Sequence, residues 1–220
     1  MNNHRRISRA IYGVIVAAAA VGCASHQPSP SASSSAAAAT TAPLSSVAVS
    51  AAGCTASDVP LTTLEPKAAD EPTLALPTPS GWVYSASMNS PIIRGFVANV
   101  GLRANDFTPN AVVTLEDLTG KVRNTEQGID AELSSIAQNG IAVTSRIPGT
   151  VCGHPSTTIT YTLLGHSVTA LITAAADGPK VWAATLTVQT AEPDNPAYNA
   201  GKQAILNNFQ LILPGHGSSQ

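Results

Sequence analysis

The chain has 220 residues, of which 11% are charged and 4% are aromatic, and its formal net charge is −2. This length suits one domain with additional segments. Without the first 22 residues, which contain three arginines, 8 basic and 13 acidic residues remain, giving a net charge of −5. Because nucleic acids and anionic lipid surfaces are bound through basic faces, this balance argues against both as electrostatic partners.

Residues 1–22 have the features of a lipoprotein signal peptide. Arginines near the start form a positive region, and the apolar run 10–22 is too short to span a bilayer. The run ends in Ala-Val-Gly before Cys23, the small-residue pattern that a lipoprotein signal peptidase requires. We predict that Cys23 carries a diacylglyceryl group and palmitate-type acyl chains. These lipids would hold the protein at the extracytoplasmic face of the cell membrane.

Two alternatives to this anchor follow from the same segment. A plain secretory signal would leave Cys23 as an incidental cysteine. Cys54 also follows small residues, but Ser, Thr and Pro fill the stretch before it, so no apolar run adjoins it. The pair Arg5-Arg6 leaves twin-arginine export open beside general secretion.

Composition divides the rest of the chain into four segments. Residues 23–57 are rich in Ser, Ala, Thr and Pro, which predicts a disordered tether because such a segment buries too little apolar surface to offset its ordering entropy. Residues 58–72 form a transitional N-terminal arm. The compact domain is expected over 73–214, followed by a flexible tail at 215–220.

The first half of the domain predicts three strands. An edge strand around Leu74–Leu76 ends at the proline-rich run 77–82, since proline cannot donate to a strand ladder. The apolar runs 96–102 and 111–118 are separated by turn-forming residues, which favours two further strands.

A helix is predicted next. Asn124 can cap its start, with Gln127 placed to complete a capping box. Apolar residues then recur at helical spacing, and Asn139-Gly140 is typical of a helix end. The apolar residues with this spacing are Ile129, Leu133 and Ile136.

The second half alternates apolar and polar residues with period two. This pattern over 141–147, 158–163, 168–172 and 182–189 predicts an antiparallel meander with one wet face and one buried face. Leu164-Gly165 would form a tight turn.

A second helix begins at Asn195-Pro196, in the order of cap and first-turn proline, and a short strand follows at 209–213. The predicted fold class is α+β, an antiparallel twisted sheet flanked by helices in an α/β/α sandwich.

Three stretches together resemble a known family. They are Leu76–Trp82 (Leu-Pro-Thr-Pro-Ser-Gly-Trp), Gly153–Pro155 before an alternating hairpin, and Leu186–Val188 before a helix that ends at Asn208-Phe209. In this order and spacing, over 73–213, the chain is similar to the LpqN/LpqT group of mycobacterial lipoproteins. The resemblance implies a Mog1/PsbP-like fold. It implies no catalytic residues, because the family brings none to transfer.

Besides Cys23, the cysteines are Cys54 and Cys152. An even pair in an exported chain favours a disulfide between them. The alternative is two unpaired thiols.

The sequence contains no Gly-x-Ser-x-Gly elbow, no glycine-rich phosphate loop and no Cys/His metal spacing, so neither catalytic residues nor metal ligands nor a cofactor are expected. If Leu164-Gly165 is a hairpin turn, His154 and His166 lie at opposite ends of that hairpin, about 30 Å apart. His166 at the turn and His216 in the tail are then expected to be solvated.

Two pairs of carboxylates occur in the domain. Glu116 and Asp117 are neighbours in a strand and point to opposite faces. Asp130 and Glu132 lie two apart on a helix and do not face each other. Neither pair forms a dyad by itself, and both are predicted to be solvated surface.

The sequence therefore predicts a non-enzymatic binding or scaffolding lipoprotein of the cell envelope. Its partner would be a protein, or an apolar ligand in a groove between sheet and helix where some aromatic residues lie. An envelope-acting hydrolase with an unrecognised site is the alternative.

Overall fold

A computed structural model of the chain describes residues 53–215. The predicted signal peptide with Cys23, the tether up to residue 52 and the tail from residue 216, which includes His216, lie outside the described residues. Within 53–215, no helix combines the length and the apolar character needed to cross a membrane.

The described chain forms two antiparallel sheets and two α-helices. The strands are β1 (Leu61–Leu64), β2 (Thr73–Pro77), β3 (Val83–Ser85), β4 (Ile93–Ala98), β5 (Asn110–Asp117), β6 (Val143–Val151), β7 (His154–Leu163), β8 (His166–Asp177), β9 (Lys180–Thr190) and β10 (Gln210–Ile212); the helices are α1 (Thr125–Gln138) and α2 (Pro196–Asn208). The larger sheet has the order β3-β4-β5-β9-β8-β7-β6. The predicted α+β class, a mostly antiparallel sheet flanked by helices, is confirmed.

The smaller sheet has the order β1-β2-β10, so β2 is its central strand and the prediction of an edge strand at Leu74–Leu76 is wrong. Proline is tolerated because Pro77 is the last residue of β2. Strand β1, which lies in the segment predicted as an N-terminal arm, pairs with β2 along its whole length. Sequence patterns miss this sheet because its strands come from the two ends of the domain.

The strand predicted over 96–102 begins and ends earlier. Strand β4 stops at Ala98, and the Asn99 side chain accepts a hydrogen bond from the Gly101 backbone N–H. This bond starts a single 3-10 turn at Val100–Leu102. The polar cap therefore ends a run that its apolar composition alone would have extended.

Helix α1 begins and ends where the sequence predicts. The Asn124 Oδ1 accepts from the Gln127 backbone N–H at 2.9 Å, and the Gln127 side chain accepts from the Arg123 N–H rather than from Asn124. Gly140, with a φ of +75°, lies just beyond the end of the helix. The helix packs on β7, β8 and β9.

The prediction of one wet and one buried face for the meander is wrong. Leu186 on β9 pairs with Leu171 on β8, which pairs with Thr158 on β7, so these three side chains share one face. On the opposite face, Thr187 lies in the same row as Ile159. The apolar sides of β7 and β9 thus point in opposite directions, and both faces of the sheet carry a core.

Helix α2 and the small sheet cover the face opposite α1. Tyr198 and Ile205 of α2 are buried against Trp82 and against the apolar residues of β5 and β9. The approach of α2 is so close that a Cβ at Gly201 would lie 3.0 Å from Trp82 Cε2. Glycine is therefore required where the helix crosses the indole.

A disulfide joins Cys54 to Cys152, the pairing that the sequence predicts. Cys152 lies in the tight turn between β6 and β7, so the start of the described chain is held at that end of the larger sheet. The side chain of Gln210 also donates to the Thr55 carbonyl at 3.3 Å. Residues 54–57, assigned to the tether, are thus in contact with the domain.

Candidate functional site

A cavity of about 270 Å³ lies between the C-terminal half of α1 and the larger sheet. Its lining combines side chains of α1, β5, β7 and β9 with the β7–β8 turn. The lining residues are Val112, Thr114, Glu132, Ser135, Ile136, Asn139, Ile141, Tyr161, Leu163, Leu164, Thr185, Thr187 and Gln189.

The floor of the cavity is polar because β9 turns its polar side toward α1. Thr185, Thr187 and Gln189 alternate with the buried residues Leu186 and Val188, which face the other core. The strand therefore serves an apolar core on one side and a hydrogen-bonding floor on the other.

One member of this floor is fixed by a neighbouring strand. The Gln189 side-chain amide donates to the Asn110 Oδ1 at 2.9 Å, and both residues are buried. This bond, which joins β5 to β9, orients the Gln189 side chain at the end of the cavity floor.

Glu132 of α1 is the one carboxyl group among the lining residues of the described chain. Burial is the largest cause that raises its pKa to about 7, and the negative charge of Glu116 and a hydrogen bond between the two side chains contribute to the same rise. The Thr185 hydroxyl donates to Glu132 at 3.4 Å, and Lys121 donates to Glu116 at 3.1 Å. Near neutral pH Glu132 therefore exists in both its protonated and its charged form, and the protonated form avoids repulsion with Glu116.

This contact corrects the prediction that both carboxylate pairs are solvated. Asp117 and Asp130 are exposed, as expected, but Glu116 and Glu132 are half-buried and meet each other. Each predicted pair contributes one member to a dyad that spans β5 and α1. The two members of each pair do not face each other, as predicted, and the dyad forms between the strand and the helix.

One signal in the sequence points to Glu132. Its position falls within the stripe of α1 that faces the sheet, three residues after Ile129 and four before Ile136. A carboxylate inside an apolar stripe indicates a partner or a cavity. Glu116 has no comparable local signal, since its place beneath α1 depends on the pairing of β5 with β9.

The cavity opens at the tight turn between β7 and β8. Leu164 lines the cavity although it is 70% exposed, so it lies at the mouth. Leu163 pairs with His166 across a two-residue turn, which confirms the predicted hairpin. Tyr161 is the one aromatic residue among the lining residues that the structure describes.

The histidines do not form a site. His154 and His166 begin β7 and β8 respectively, at opposite ends of the hairpin, as predicted. The expectation that His166 is solvated is wrong, because its ring stacks on Phe107 with 3.9 Å between centroids. The loop before β5, which contains Phe107, folds over the start of β8. Across residues 53–215, no group of three His, Cys, Asp or Glu side chains is placed to hold a metal ion.

The arrangement can bind a small amphipathic molecule. Aliphatic and aromatic side chains accept an apolar group, and hydroxyl, amide and carboxyl groups orient a polar one. In the part of the lining that the structure describes, neither lysine nor arginine is present. A negatively charged group therefore finds no ion-pair partner among the lining side chains.

Comparison with solved structures shows the fold. LpqN of Mycobacterium tuberculosis, described as involved in cell envelope biogenesis, aligns with a TM-score of 0.55 and 16% identity over 70% of this chain and 92% of that protein. Saccharomyces cerevisiae Mog1p, a Ran-binding protein, aligns with a TM-score of 0.44 and 9% identity over 73% of this chain and 100% of that one. A search of curated proteins gives no match. The sequence profile of a family described as "probable lipoprotein LpqN" matches residues 54–212, and the chain therefore belongs to the LpqN lipoprotein family.

Proposed function

We propose that the protein is a lipid-anchored, non-enzymatic binding module of the cell envelope whose ligand occupies the cavity beneath α1. Membership of a lipoprotein family and the signal-peptide features before Cys23 support the anchor. The involvement of Mycobacterium tuberculosis LpqN in cell envelope biogenesis supports the compartment.

The observation that carries the binding role is the cavity itself, with its apolar walls and polar floor. Its volume of about 270 Å³ suits a small molecule or one end of a larger one. Thr187, Gln189 and the carboxyl group of Glu132 favour a polar end that is neutral and offers hydrogen-bond donors. The ligand class is therefore an uncharged amphipathic molecule.

The position of the cavity mouth supports exchange with material beyond the anchoring membrane. The disulfide holds the tether at Cys152, before β7, whereas Leu164 follows the last residue of β7. Ten residues of strand at about 3.3 Å each separate the two ends by about 30 Å. A protein partner that delivers or receives the ligand would meet the domain at the end away from the tether.

The geometry of the carboxyl groups favours binding over hydrolysis. Glycoside hydrolases keep their two carboxyl groups about 5 Å or more apart so that a sugar or water fits between them. Glu116 and Glu132 are instead hydrogen-bonded to each other. We expect no turnover of glycoside or ester substrates by the purified protein.

The test of the binding role is native mass spectrometry of the protein purified from its own host. The wild type should carry an added mass that is lost on denaturation. Ser135→Phe, which fills the cavity, should abolish this mass, whereas Ser134→Phe, on the exposed side of the same helix, should retain it. A bare wild type, or equal retention by both variants, would overturn the proposal.

The anchor has a separate test. The host-made protein should partition into a detergent phase, and Cys23→Ala should move it to the aqueous phase. Partition of the wild type into water would contradict lipidation and leave the binding role unaffected.

A further inference from the structure

We infer that Leu164 forms an apolar lip at the cavity mouth and contacts the apolar part of the bound ligand. This inference deepens the proposed function and rests on it. It assigns to Leu164 a role that the stability of the domain does not explain.

The backbone at the β7–β8 turn is unfavourable for leucine. Leu164 has a φ of +50° and Gly165 a φ of +83°, so both central residues of the two-residue hairpin lie in the left-handed region. Such turns prefer Asn, Asp or Gly at the first position, because their short side chains tolerate this conformation. Leucine at this position opposes the local backbone preference.

The other non-glycine residues with positive φ in the described chain have evident reasons for their type. Asn105 and Asp106 belong to the residue types that tolerate this region, and Cys152 supplies the disulfide. Leu164 has neither the tolerant side chain nor a covalent role.

Burial does not explain Leu164 either. The residue is 70% exposed, so it gains little from the hydrophobic effect in the structure described. It nevertheless lines the cavity together with Leu163 and Ile141. An exposed aliphatic side chain at a strained position beside an apolar opening gains burial when a ligand occupies that opening.

The test uses a substitution that should separate binding from stability. Leu164→Asn installs the residue pair that the turn prefers, so its melting temperature should equal that of the wild type or exceed it by about 2 °C. Its affinity for the neutral apolar dye phenylnaphthylamine, measured by fluorescence titration of the full mature chain, should fall about fivefold. Leu164→Met, which keeps an apolar side chain, should retain affinity within about twofold.

Two controls make the result specific. Val100→Asn removes a side chain that is 74% exposed and outside the cavity lining, and it should leave dye affinity unchanged. Ser135→Phe should abolish dye binding. If Leu164→Asn binds like the wild type while Ser135→Phe does not bind, the lip is disproved and the proposed function stands.

Two further outcomes would also be decisive. A clear drop in the melting temperature of Leu164→Asn, together with lost binding, would make Leu164 a structural residue and overturn the lip. Equal dye signals from the wild type and Ser135→Phe would overturn the cavity as the ligand site, and with it the proposed function.

Discussion

Glu132 of α1 shares a hydrogen bond with Glu116 of β5, and this contact ties the helix to the sheet at the polar end of the cavity. Two carboxyl groups that are hydrogen-bonded to each other cannot both be charged without strong repulsion. The contact is therefore favourable while one proton is retained, and it becomes unfavourable when that proton is lost.

Stability should fall as the pH rises toward neutrality. Burial, followed by the charge of Glu116, raises the pKa of Glu132 from 4.5 to about 7. Between these values the folded state binds more protons than the unfolded state, so the free energy of unfolding should decrease by about 2 kcal/mol from about pH 5 to pH 7. Glu132→Gln should remove most of this slope in urea titrations.

Asp130→Asn is the matched control for this titration. Asp130 is exposed on the same helix and makes one surface ion pair, with Arg146 at 3.5 Å, so its loss should leave the slope unchanged. A Glu132→Gln variant whose stability depends on pH as steeply as that of the wild type would contradict the role assigned to the dyad.

Glu71 should have the opposite pH dependence. Burial alone would raise its pKa, but the hydrogen bond from buried Arg94 and a backbone N–H from Lys67 outweigh burial and lower it. Glu71 therefore stabilises the fold above its ordinary pKa of 4.5, and this contribution is lost as the pH falls through the lowered pKa. Glu71→Gln should cost about 3 kcal/mol at neutral pH, because it leaves the Arg94 charge buried without an opposite charge beside it.

The measurement is denaturant unfolding of Glu71→Gln and wild type across the acidic range. The difference between them should shrink as the pH falls. Exposed Glu65, whose backbone carbonyl accepts from Arg94 at 2.9 Å, provides the control Glu65→Gln with little effect. A constant difference at every pH would show that packing, and not charge, accounts for the loss.

The close approach of α2 to Trp82 makes a prediction that opposes helix propensity. Gly201→Ala should raise intrinsic helix stability by about 1 kcal/mol, yet the added Cβ would overlap the indole ring. We expect a net loss of about 3 kcal/mol in thermal or urea unfolding. The loss should be smaller when Trp82→Phe is present, and simple additivity of the two substitutions would rule out the clash.

The sequence predicts those elements whose signals are local. Asn124 and Gly140 mark the start and end of α1, and the turn at Leu164-Gly165 sets the register of β7 with β8. In each case the atoms that decide the structure lie within a few residues of each other, so the pattern contains the required information.

The features that sequence analysis misses depend on contacts between distant segments. The pairing of β2 with β10 joins residues at the two ends of the domain. The Glu116–Glu132 dyad likewise requires both the β5–β9 register and the placement of α1 on the sheet. Periodicity within a segment indicates which side is apolar, but it does not specify which segment covers that side.

The disulfide between Cys54 and Cys152 should contribute more to stability than any single contact discussed above. Its sequence separation of 98 residues constrains the unfolded chain strongly, and the loss of both cysteines in Cys54→Ser/Cys152→Ser should cost about 4 kcal/mol. Urea unfolding of this variant against the wild type measures the cost.

The pairing itself is checked on a Cys23→Ala background, where the untreated chain should show no free thiol and should gain the mass of two hydrogens after reduction. Two free thiols before reduction would disprove the bond, and the tether would then not be held at the end of the sheet opposite the cavity mouth.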